Sequence, residues 1–133
     1  IRGRVLPRNP SEAHRRIRHY DLGEQPFLCP MNTEGNAAVR TEVYRAVGGM
    51  FAPLYGHEGL DLSFRIAKRH GTNALWYRPD VIVYHDYPLT GARSEDKTVR
   101  HRRMKQFVVK RNPGFKAYER TMKRIRRDAC EGD

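Results

Sequence analysis

The cationic side chains of this chain crowd into three stretches, Arg2 to Arg18, Arg100 to Arg111 and Lys116 to Arg127. The middle, from Gln25 to Asp96, is nearly balanced. Like charges resist being packed together, so a core with basic flanks is expected, rather than a uniformly basic module. The formal net charge of +11 favours acidic partners: nucleic acid, anionic lipid head groups or phosphorylated substrates. A length of 133 residues suits one domain, 1–133, or a part of one. No apolar run approaches the length of a membrane span, and no signal peptide is visible. Cys29 and Cys130 lie far apart without a CxxC partner, which points to free thiols in a reducing compartment.

Periodicity within this frame predicts a mixed α/β chain. "IRGRVLP" reads as a short strand ended by Pro7. "SEAHRRIRHYDLG" reads as a helix capped by Ser11 and stopped by Gly23. "TEVYRAVGG" reads as a second helix capped by Thr41 and ended by Gly48 and Gly49. "GLDLSFRIAKRHG" reads as a third, with Leu62 and Ile66 one turn apart. "NALWYRP" and "VIVYH" read as two strands parted by Pro79 and Asp80. A polar loop follows over 87–98, with Gly91 as a hinge candidate. Basic helices then fill 99–128, the second capped by Asn112 and striped with Phe115, Tyr118, Met122 and Ile125.

One stretch asks for chemistry. "GHEGLDLSFRI" gathers His57, Glu58 and Asp61 directly after Gly56. Together with Gly35, Asn36, Ala38, Val39 and Arg40, with "VGG" at 47–49, Gly71, Pro79 and "VIVYH", this order of pieces resembles the C-terminal half of a GT-A-fold glycosyltransferase. The resemblance is to family 2 and to polypeptide N-acetylgalactosaminyltransferases, and it covers about residues 1–86. It implies an acceptor-side portion of a nucleotide-diphospho-sugar transferase fold, a mixed sheet with flanking helices. Gly59 stands where the family carries a second acid, and "GGMFAP" replaces the usual Gly-Gly-Phe-Asp turn. No Asp-x-Asp metal motif of the family's kind is present, so the resemblance implies a missing N-terminal half and a piece inactive by itself.

The resemblance also implies roles. Glu58 and Asp61 would be catalytic, handling the acceptor hydroxyl. His85 would help to hold Mn²⁺ or Mg²⁺ against the diphosphate. Asn36, Arg40, His57, Arg65, Arg93 and Arg100 would bind donor or acceptor, with the loop closing over the donor. The donor would be a nucleotide sugar, a UDP-sugar by expectation, and the acceptor a glycan or a lipid-linked sugar at the inner, cytoplasmic membrane face. Inversion is the family default. Plainer readings stand beside each role: Asp61 can pair with Arg65 at i+4, Asn36 can shape a turn, and His85 can be an edge histidine. The last helix can lie on an anionic membrane or pack its stripe on the domain. A bare sheet edge would favour a homodimer or other pairing. The rival assignments are a nucleic-acid- or membrane-surface-binding module and an inactive remnant of the transferase fold.

Overall fold

The computed structural model of the chain describes residues 1–14, 17, 19–32, 34–54, 56–86 and 95–131. Its architecture is mixed α/β, a small three-stranded mixed sheet with flanking helices. Strand β1 (Arg2–Pro7) runs parallel to β3 (Trp76–His85), and β2 (Phe27–Leu28) pairs antiparallel with the first residues of β3, giving the order β1-β3-β2. Helices α1 (Thr41–Ala46), α2 (Glu58–His70), α3 (Glu95–Arg111) and α4 (Phe115–Glu131) complete it.

The two strands expected around Pro79 are one strand with an irregularity. The register jumps between Gly3 and Arg4, from Gly3 opposite Arg78 to Arg4 opposite Ile82. Pro79 falls in the skipped segment, where its missing N–H removes no ladder bond. Asn36 fills the gap. Its side-chain amide donates to the Arg4 carbonyl at 2.8 Å and to the Val81 carbonyl at 3.1 Å. A Cβ on Gly3 would sit 2.3 Å from that amide nitrogen, so Gly3 is what admits Asn36.

The helix expected over 11–23 does not form across the described residues. A 3₁₀ turn, Pro10–Glu12, is capped by Asn9 rather than Ser11. The segment is drawn onto β1 instead. The Val5 amide donates to the Tyr20 carbonyl at 3.0 Å, the Arg2 guanidinium donates to the His19 carbonyl, and Arg4 pairs with Asp21 at 2.8 Å. Carbonyls given to a strand and an arginine are lost to a helix. Smaller shifts follow the same logic. Arg40, not Thr41, occupies the cap position of α1 and gives no side-chain bond. α3 begins at Glu95, inside the stretch read as loop.

The core is three apolar clusters. Leu54, Phe64, Ala67, Val108, Phe115, Tyr118 and Met122 join α2, α3 and α4. Leu22, Phe27, Cys29 and Tyr77 form a second cluster built on β2 and β3. Met31, Leu62, Ile66 and Leu75 join α2 to the loops. The stripe of α4 is spent here, which settles packing over membrane contact for that face; each fully buried apolar side chain of this size contributes about 1.5–3 kcal/mol. Charges on α3 and α4, among them Arg102, Arg103, Lys110, Lys116, Arg120 and Arg124, face solvent. No helix is long and apolar enough to cross a membrane among the described residues.

Candidate functional site

β1 and β3 are parallel, so their carboxyl ends open on the same side, where parallel sheets offer a crevice for ligands. A cavity of about 360 Å³ lies there. Val5, Val83 and His85 come to it from the strands, His19 and Tyr20 from the segment drawn onto β1, Asn32 and Gly35 from the loop before α1, and Gly56 and His101 from around α2 and α3. Three separated pieces of the sequence pattern, at Gly35, Gly56 and His85, thus line one hollow.

Gly56 is forced by this arrangement. Its φ is +84°, and a Cβ there would lie 2.7 Å from the His101 ring. Its amide donates to the Glu58 carboxylate at 2.5 Å, which orients that side chain beside the start of α2. Glu58 is partly buried and in reach of solvent. A carboxylate at a helix N-terminus is also favoured by the helix dipole. His57 precedes it and donates from Nε2 to the His101 carbonyl at 3.0 Å, since a carbonyl can only accept. Burial is the largest influence on His57 and lowers its pKa, with the charges of His101 and Lys105 acting the same way; the bond to His101 opposes them. The imidazole is held toward its neutral form.

Asp61 does not reach the cavity as a base. It is fully buried. Its Oδ2 accepts from Arg65 Nε at 2.8 Å and its Oδ1 from Asn112 Nδ2 at 2.7 Å, with Arg111 at 3.7 Å. Arg65 is committed too, donating to the carbonyls of Val47 and Gly49, so it ties α2 to the turn that ends α1 and is not free for a donor. Asn36 is buried in the strand irregularity and is not among the residues lining this cavity. Arg40 is exposed and lines a different hollow, with Ile1, Val43 and His70. Arg100 is exposed on α3. Arg93 lies outside the described residues.

His85 is exposed at the end of β3, its ring edge-on to Tyr20 at 5.7 Å between centroids. It is one of the residues that line the cavity. A complete cation site is another matter: among the described residues no group of three or more His, Cys, Asp and Glu is placed to hold a metal ion. His85 can offer one ligand and no more. His101, His19 and Asn32 were missed by sequence reasoning, because only the fold brings them to Gly56 and His85. The chain matches no protein-family model, no curated protein and no solved structure.

Proposed function

We propose that the chain is the acceptor-side part of a GT-A-type glycosyltransferase that takes its sugar from a nucleotide sugar. The observation that carries this reading is the meeting of Gly35, Gly56 and His85 in one cavity at the carboxyl ends of two parallel strands, with Glu58 bonded to the amide of Gly56. Glu58 takes the proton of the acceptor hydroxyl as that oxygen bonds to the anomeric carbon, and the nucleoside diphosphate leaves with the bonding pair. Gly56 orients the carboxylate, and Asp61 with Arg65 fixes the first turns of α2 beneath it. His85 would give one imidazole to a divalent cation completed by ligands from elsewhere; such an ion neutralises charge on the leaving diphosphate.

Ile82, Val83 and Tyr84 support a larger assembly. They are exposed along β3 at 42%, 40% and 59%, an apolar strand of the kind that a neighbouring structure covers. The reading is tested by measuring nucleoside diphosphate release from a panel of nucleotide sugars by the protein in its full natural length, with and without Mn²⁺. Release from one donor is expected. No release from a folded protein contradicts it, and leaves the cationic faces of α3 and α4 as the functional surface, a nucleic-acid- or membrane-binding reading.

A further inference from the structure

α4 has two unlike sides. Phe115, Tyr118 and Met122 are buried against α2 and α3, with Ile125 partly buried beside them. Lys116, Arg120 and Arg124 lie on the opposite side and are exposed. Their spacing of four residues sets them in one row, about 6 Å apart along about 12 Å of helix. None of these three side chains has a hydrogen-bond or ion-pair partner among the described residues. Lys123 and Arg127 stand on the same side, but they already serve Glu119 at 3.6 Å and Asp128 at 3.3 Å and add nothing to the surplus. Like charges four residues apart weaken the helix that carries them. An anionic partner laid along the row would remove that repulsion.

α3 presents the same chemistry with one addition. Arg103 and Lys110 are exposed, and their side chains have no partner among the described residues. Phe107 lies between them, and spacings of four and then three residues place all three on one face. Its ring stacks on Phe51 at 6.2 Å between centroids and is still 44% exposed. An open aromatic ring flanked by two cations suits a strand whose bases stack and whose phosphates pair. An anionic bilayer asks for something else. Helices that lie in a membrane surface do so on an apolar stripe. The stripe of α4 is in the core, and α3 exposes only Val99 and Phe107, eight residues apart, as large apolar side chains among the described residues.

We propose that the outward faces of α3 and α4 bind single-stranded nucleic acid. Lys116, Arg120 and Arg124 meet phosphates from α4, Arg103 and Lys110 meet them from α3, and Phe107 receives a base. Phosphate contacts carry no sequence information and every base has a face to stack, so many sequences are bound alike. The proposal uses none of the residues assigned to sugar transfer, and it stands whether or not the chain transfers sugars.

The test is fluorescence anisotropy of the full-length protein with a labelled single-stranded DNA of mixed sequence, over a series of salt concentrations. The duplex of the same sequence and phosphatidylserine vesicles are the comparisons. Replacing Lys116, Arg120 and Arg124 together by Gln is expected to weaken single-strand binding at least ~tenfold. It is also expected to flatten the slope of log affinity against log salt by about 2, at ~0.7 per phosphate. All three side chains face solvent, so this variant is expected to melt as the parent does. Phe107→Leu keeps an apolar side chain beside Phe51. It is expected to weaken single-strand binding at least ~fivefold, with the salt slope and duplex binding unchanged. No binding of the single strand, or either variant binding it like the parent, overturns the proposal; capture of the vesicles in its place would make the surface a membrane contact.

Discussion

Asp61 carries the greatest structural burden of any single side chain near the site. A carboxylate shut away from water is stable only while its partners hold it, and Arg65 and Asn112 do so here at 2.8 and 2.7 Å. Removing the partners' anion strands a guanidinium and an amide. Asp61→Ala is expected to cost about 3–5 kcal/mol in urea unfolding; a loss under about 1 kcal/mol would show that the network matters little. Gly56→Ala should also destabilise, by about 1–3 kcal/mol, because it meets both a positive φ and the His101 ring. Half of the Asp61 network was legible: Arg65 stands at i+4 on the same helix. Asn112 was not, since it is 51 residues away and was read as a helix cap. Spacing along one helix is local geometry, whereas that contact exists only once α3 has turned into α4.

Elements repeat the pattern. α1, α2, α4 and β1 were readable from period and glycines, because burial of an apolar face and a helix-ending glycine are properties of a few adjacent residues. The segment after β1 was misread as a helix because its residues have helical spacing but bond to β1. β3 was split because Pro79 looked like a break, and only Asn36, from another part of the chain, makes the irregularity tenable. Asn36→Ala should leave two carbonyls unpaired and cost about 1–3 kcal/mol, read by thermal or urea unfolding. An unchanged stability would mean that water replaces the amide. At the site itself, Gly56, Glu58 and His85 were legible in the pattern, and His101 was hidden in a run of basic residues.

At the scale of the whole molecule, the basic helices α3 and α4 give apolar side chains to the core and charges to solvent, and burial of His57 adds a pH dependence. Its folded pKa lies below the ordinary value of 6.5, so the unfolded chain takes up its proton first as pH falls. This contribution to stability is complete above about pH 6.5 and is lost as pH falls toward the folded value. His57→Gln should flatten that part of the stability profile, measured by urea unfolding between pH 5 and 8 (roughly the window His sets). An unchanged slope would place the titrating group elsewhere. The most direct test of the central claim is the rate of sugar transfer in the full-length protein with Glu58→Gln. Glutamine keeps the bond from the Gly56 amide and so keeps the fold, while it cannot take a proton. The account predicts that nucleoside diphosphate release falls by at least ~100-fold while the protein stays folded, with only the small loss of stability that a lost charge at a helix N-terminus brings. Release at the parent rate would show that Glu58 is not the base and remove the role on which the catalytic reading depends.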